Sequence, residues 1–250
     1  MQITEVKNYD EMSKKASEII MKRIQDLPKP VLGLATGSTP EGMYKELVQV
    51  YVDGKISFSN TTTYNLDEYI GLPREDKNSY RFYMNDRLFS HVDISKEQTN
   101  VPNGMAKDLK EECNDYEESI KKSGGIDVQV LGIGVNGHIG FNEPGTSFQT
   151  ATHVVNLAPS TIQANARFFE SEKDVPKQAI TMGIQSIMKS KEILLLISGA
   201  KKADAVYQLL HGEVSEVFPA SILQQHPNVH LIADEAALSK VKENGMRSLR

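Results

Sequence analysis

Seven short, β-rich apolar runs alternate along this chain with amphipathic stretches, and that alternation constrains its fold more than any other feature. The runs are "VLGLA" (31–35), "TTTYNL" (61–66), "IDVQVLGI" (126–133), "HVVNL" (153–157), "AITM" (179–182), "EILLLIS" (192–198) and "NVHLI" (228–232). Between them, "PEGMYKELVQVY", "AKDLKEECNDYEESIKK" and "KKADAVYQLLHG" carry helical periodicity. Continuous apolar strands alternating with helices predict an α/β fold, with a doubly wound, mostly parallel sheet and helices on both faces in three layers. No repeat, low-complexity tract or linker interrupts the pattern, so residues 1–250 read as one domain.

Charge and composition narrow the partners. A net charge of -5 argues against a nucleic acid or an anionic membrane, while a locally basic pocket still suits a phosphorylated small molecule. Cys113 is the sole cysteine, so an internal disulfide is excluded and a reducing compartment is expected. Its charged neighbours, "LKEECNDYEESI", read as a solvated helix. The start, "MQITEVKNYDEMSKK", is too charged for a signal peptide, and "ILLLI" (193–197) is far short of a membrane span. These features predict a cytoplasmic protein.

Open parallel sheets bind ligands where strands exit into helices, so the strand exits carry the functional reading. After "IDVQV", Gly132, Gly134 and Gly137 stand in the dinucleotide-binding spacing GxGxxG. That fingerprint needs a helix from its third glycine and an acidic residue at the tip of the next strand. Here "HIGFNEPG" follows, with Gly140, Pro144 and Gly145 opposing a helix, and "HVVNLAP" ends without an acid. Cofactor binding is therefore not expected. What remains is a close-packed turn holding Asn136, His138, Asn142 and Glu143. A histidine with a nearby carboxylate makes a proton-transfer unit; a histidine that only hydrogen-bonds its own turn is the other reading. Neither the HExxH pattern nor a second histidine at ligand spacing is present, so no metal is expected.

Three further stretches carry chemistry. In "VLGLATGSTPEGMYKEL", Ser38 and Glu41 have capping-box spacing, and Pro40 fits a first helical turn. The backbone N–H groups of Gly37, Ser38 and Thr39 would form a single-phosphate site at a helix N-terminus. A well-capped helix without ligand is the alternative. "EILLLISGAKKADAV" puts Lys201 and Lys202 at a helix start, where cations oppose the macrodipole unless an anion offsets them. Arg167 in "STIQANARFFE" would add a bidentate clamp. "TTTYNLDEYIGLP" places Asp67 and Glu68 just past a strand, with only one expected to face a given pocket. Leu66, Tyr69 and Ile70 would desolvate that acid and raise its pKa; a pair of solvated loop acids is the competing reading.

Taken together, "LGLATGSTPEGMY", "NLDEYIGL", "SYRFYMNDRLF", "LGIGVNGHIGFNEPGTSF", "ANARFF", "AITMGIQSIM" and "LLLISGAKKADAV" resemble the glucosamine-6-phosphate deaminase (isomerising) family, with "FPASILQQH" extending the likeness. The resemblance implies a cofactor-free conversion of glucosamine 6-phosphate and water to fructose 6-phosphate and ammonia. By motif position, His138 would open the sugar ring with support from Glu143 and Asn136, and Asp67 would move the proton from C2 to C1. The phosphate would rest on Gly37, Ser38 and Thr39, with Lys202 and Arg167 as cationic partners, under a lid containing "TIQANARFFE". Asn136 stands where many members carry aspartate. "TATHVVNL" lacks the basic residues that allosteric hexameric members place after the "FNEPG" turn, which favours a monomer. The rivals are a 6-phosphogluconolactonase-like hydrolase, whose histidine turn reads like "DGHTASLFP", and a non-catalytic sugar-phosphate sensor.

Overall fold

The computed structural model describes residues 1–247 except 160, 161, 164, 165, 167, 168, 172 and 173. Its centre is a seven-stranded sheet built from β1 (Gln2–Val6), β2 (Val31–Leu34), β3 (Thr62–Asn65), β5 (Thr99–Asn100), β6 (Val128–Leu131), β9 (Glu192–Ile197) and β10 (Val229–Asp234). The strand order is β1-β10-β9-β6-β2-β3-β5, and every pairing is parallel. β2, β6 and β9 are buried along their whole length, which is why they read as unbroken apolar runs.

Helices α1 (Tyr9–Asp26), α2 (Glu41–Val52) and α3 (Tyr80–Arg87) cover one face through Met12, Ala16, Ile20, Met43, Leu47 and Met84. On the other face α4 (Leu109–Lys122), α5 (Ile184–Met188), α6 (Ala203–His211) and α7 (Ser239–Arg247) contribute Tyr116, Ile187, Val206, Leu209 and the half-buried Val241. This is the doubly wound α/β architecture that the alternation predicts. Cys113 departs from expectation. It lies on the buried side of α4, and burial pushes its thiol up to about 11, which leaves it an inert core residue.

The alternation gives no sign of the second sheet. Residues 153–157 and 179–182 read as two more strands of the sheet, but β8 (Gln178–Thr181) instead pairs antiparallel with both β7 (His153–Asn156) and β4 (Asp67–Tyr69), in the order β4-β8-β7. Leu66 is the corner between the sheets. Its N–H donates to Leu34 O in the large sheet, and its carbonyl accepts from Met182 N beside the small one. Asp67, the next residue, therefore stands at the carboxyl end of β3 where the two sheets part.

The chain winds outward from β2 through β3 to β5, then returns to β6 and winds the other way through β9 to β10. The order reverses between β2 and β6, and the crevice beyond their carboxyl ends is where an open sheet accepts a ligand.

Candidate active site

Two loops leave the sheet at that reversal. Residues 35–40 follow β2, and residues 132–145 follow β6. They lie together: a Cβ placed on Gly132 would sit 3.7 Å from Thr39 Oγ1. The third neighbour is the exit of β9, where Lys202 Nζ donates to Ile133 O at 2.7 Å.

The β2 exit differs from the expected capping box. α2 begins at Glu41 with Pro40 as its N-cap and no side-chain cap, so Ser38 is two residues too early to serve. Among the described residues, no protein acceptor lies on the N–H of Gly37, Ser38 or Thr39. The contrast with other helices is informative. Asn8, Ser79 and Asp108 cap α1, α3 and α4 with side-chain oxygens; α2, α6 and the short α5 have no side-chain cap, and of these α2 and α6 begin at the crevice. An uncapped N-terminus keeps its positive dipole end and its donors available for an anion. Lys202 itself is the N-cap of α6, and burial lowers its pKa.

At the β6 exit no helix follows the third glycine. Gly137 has φ +83°, and a Cβ there would strike the Phe218 ring at 2.3 Å. Gly134 serves a different need, because its Cβ would lie 2.2 Å from the His138 ring. Gly134 thus makes room for an imidazole. Asn136 Nδ2 donates to Glu143 Oε2 at 2.8 Å, while Asn136 Oδ1 lies 2.7 Å from His138 Nδ1. A carboxylate accepts only, so Glu143 fixes which end of the amide faces the histidine. The amide oxygen then requires a proton on Nδ1 and leaves the Nε2 lone pair for a substrate. Burial lowers the His138 pKa; Glu143 partly offsets this, and Lys202 adds to it. The histidine is therefore neutral near pH 7.

Asp67 and Glu68 are both buried, which removes the solvated-acid reading. Their fates differ because neighbours on a strand point to opposite sides. Glu68 accepts from the N–H groups of Tyr69, Tyr80 and Arg81, capping the first turn of α3. Asp67 has no such donors among the described residues, and desolvation, with repulsion from Glu68, pushes its pKa up to about 8. Its Oδ2 lies 3.7 Å from where a Cβ on Gly140 would be, so the histidine turn passes directly over it. That turn is tied to the small sheet by Phe141 N donating to Thr181 Oγ1 and by Asn142 Nδ2 donating to the carbonyls of Ile139 and Met182.

The described residues therefore bring Gly37, Ser38, Thr39, Asp67, Asn136, His138, Glu143 and Lys202 to one crevice; Arg167 and much of "TIQANARFFE" lie outside them. A groove of about 880 Å³ reaches the crevice at Ser38, Thr39 and Ser198, but Asp67 and His138 do not line it. Sequence reasoning missed the anchoring roles of Glu68, Asn142 and Thr181. The partners that tie them to other elements, Tyr80 for Glu68, Met182 for Asn142 and Phe141 for Thr181, lie 12 to 40 residues away, and no local spacing signals them.

The model of one family, glucosamine-6-phosphate isomerases/6-phosphogluconolactonase, matches residues 5–231. The chain belongs to that family. It is 61% identical over 241 residues to the glucosamine-6-phosphate deaminase of Oceanobacillus iheyensis, covering 96% of each chain. It is 53% identical over 242 residues to that of Thermoanaerobacter pseudethanolicus, covering 97% of this chain and 96% of the relative. A solved monomeric glucosamine-6-phosphate deaminase superposes with a TM-score of 0.94 at 53% identity, over 96% of this chain and 100% of that one. The 6-phosphogluconolactonase of Thermotoga maritima shares the fold with a TM-score of 0.74 but only 19% identity, covering 94% and 99%.

Proposed function

We propose that the chain is a glucosamine-6-phosphate deaminase that converts glucosamine 6-phosphate and water to fructose 6-phosphate and ammonia. The observation that carries this reading is the buried, elevated-pKa Asp67 beneath a turn whose histidine has a fixed Nδ1–H and an open Nε2. Isomerising deamination needs those two tools, one for a C–H proton and one for an O–H proton. The identity to deaminases over nearly the whole chain supports the same conclusion.

In this reading His138 Nε2 takes the proton of the anomeric hydroxyl and delivers it to the ring oxygen, opening the ring to the C1 aldehyde. Asn136 holds the tautomer, and Glu143 stabilises the imidazolium formed in between. Asp67, as carboxylate, removes the C2 proton while the C1 aldehyde oxygen takes one from water, giving the enolamine, and then returns its proton to C1, which leaves the imine at C2. Water then adds to the C2 imine and ammonia leaves. The amides of residues 37–39, with Lys202 and Arg167, hold the phosphate, whose binding energy positions C2 over Asp67. Lactone hydrolysis would leave a base of this kind without a carbon acid.

The chain acts on a small molecule, and no described helix is long and apolar enough to cross a membrane. We extend the reading to a cytoplasmic monomer, supported by the monomeric relative and by the absence of Lys and Arg from "TATHVVNL". The test supplies glucosamine 6-phosphate without metal or nucleotide and follows both products. Equal amounts of ammonia and fructose 6-phosphate are expected. Binding without turnover would mean a sensor, and neither would reopen the lactonase.

A further inference from the structure

Three carbonyls of the β2 exit are met by tyrosine hydroxyls from three different helices. Tyr9 of α1 donates to Ser38 O at 2.7 Å, Tyr83 of α3 to Gly37 O at 2.6 Å, and Tyr44 of α2 to Ala35 O at 2.6 Å. Tyr9 Oη also accepts from Gly42 N at 2.8 Å, tying the loop to the first turn of α2. Tyr44 is fully buried and meets the Tyr83 ring edge-on at 6.5 Å. Arg87 lies over the other phenol ring of that pair, 6.0 Å from the Tyr83 centroid.

A peptide carbonyl is the negative end of its dipole, so a loop that receives an anion must direct its carbonyls elsewhere and satisfy them there. In this loop three carbonyls have phenol donors, while the N–H groups of Gly37, Ser38 and Thr39 have no protein acceptor among the described residues. We propose that Tyr9, Tyr44 and Tyr83 are positioning residues for the phosphate subsite: they hold the carbonyls of Ala35, Gly37 and Ser38 away from the ligand and so present the amides to it. This rests on the phosphate placement in the deaminase reading and assigns the side chains that build it. Burial raises the pKa of Tyr44 and Tyr83, so both hydroxyls remain protonated donors throughout the working pH range. A hydrogen-bond donor on each carbonyl also polarises the adjoining peptide, strengthening its N–H toward an anion.

The variants are Tyr9→Phe, Tyr83→Phe and the double. Each removes one oxygen at a half-buried position and keeps the ring packing. The measurements are KM and kcat for glucosamine 6-phosphate, and Kd for inorganic phosphate by calorimetry. Losing one donor of ordinary strength weakens phosphate binding about fivefold, and the double variant about twentyfold. KM is expected to rise in step with the phosphate Kd while kcat stays within about twofold, because the hydroxyls do not touch the reacting carbons. A purely structural role would instead lower kcat through a smaller active fraction, with KM and Kd unchanged. That result, or unchanged phosphate affinity in all three variants, overturns the proposal. A parent that binds phosphate but does not deaminate defeats the deaminase reading alone, and the Kd series still tests the tyrosines. A parent that deaminates but does not bind inorganic phosphate overturns the tyrosine proposal alone, and one that does neither overturns both.

Discussion

The two loops at the centre of the crevice start alike, as glycine-bearing exits from adjacent buried strands, and end as opposite devices. After β2, side chains serve the backbone: phenols satisfy carbonyls, the helix cap is left off, and the amides of residues 37–39 have no protein acceptor among the described residues. After β6, the backbone serves side chains: Gly134 removes bulk beside His138, Gly137 does the same beside Phe218, and Asn136, His138 and Glu143 hydrogen-bond in series. Fixed dipoles do not change charge, so the first loop suits binding. A titratable ring with a fixed tautomer exchanges protons, so the second suits chemistry. The same glycine-rich composition therefore yields a binding element or a proton relay, according to which groups its neighbours satisfy.

Asp67→Asn should break the chemical side most completely. It should lower kcat a thousandfold or more, as expected for loss of a positioned base, while phosphate Kd stays near the parent's. Deamination at the parental rate would refute the base assignment. The same variant should be more stable than the parent, in a pH-dependent way. The Asp67 pKa in the fold, about 8, lies above its unfolded value, so through that window the native state holds a proton the unfolded chain has released. Parent stability therefore falls as pH rises from about 4 to 8. The melting-temperature advantage of Asn should widen over that range and level off above it; a constant advantage would contradict the raised pKa.

Two glycine substitutions sharpen the contrast at lower cost. Gly134→Ala forces its methyl into the His138 ring, and swinging the ring off Asn136 should reduce kcat about a hundredfold with little change in KM. Gly37→Ala meets no atom within 4 Å but sits at φ +90°, so its strain, about 1–2 kcal/mol, should appear as a KM roughly tenfold higher. Steady-state kinetics on the pair decides. If both variants change the same parameter, the division of labour is wrong.

The smallest effect is Asn136→Asp. A carboxylate beside Nδ1 stabilises the imidazolium where an amide does not, so the His138 pKa should rise from its lowered value. Because Asn136 Nδ2 now donates to Glu143, the new acid also faces a like charge, and kcat should change by less than about tenfold. A proton NMR titration of His138 that shows no upward shift would remove Asn136 as the group that sets its protonation.

Much of this was legible because it is local. Buried parallel strands announce themselves as unbroken apolar runs, so β2, β6 and β9 were found to within a few residues. The failure of GxGxxG was legible too, since Gly140, Pro144 and Gly145 oppose a helix within the same stretch. β1 and the two-residue β5 went unseen, because an edge strand with one face in water carries little hydrophobic signal. The capping-box reading of Ser38 failed for another reason. Spacing cannot show that Pro40 takes the N-cap position and leaves the serine outside.

The order of apolar and polar residues by itself determined the α/β class, the doubly wound sheet and which residue types stand at the strand exits. Those properties follow from periodicity and from backbone preferences that act over a few residues. The tertiary structure alone decided that β4, β7 and β8 leave the main sheet, that Glu68 is consumed as a cap while Asp67 is left desolvated, and that tyrosines from three helices converge on one loop. Each of these depends on groups far apart in the chain meeting in a space from which water is excluded. Burial and hydrogen-bond satisfaction are properties of that space, and no window of sequence contains it.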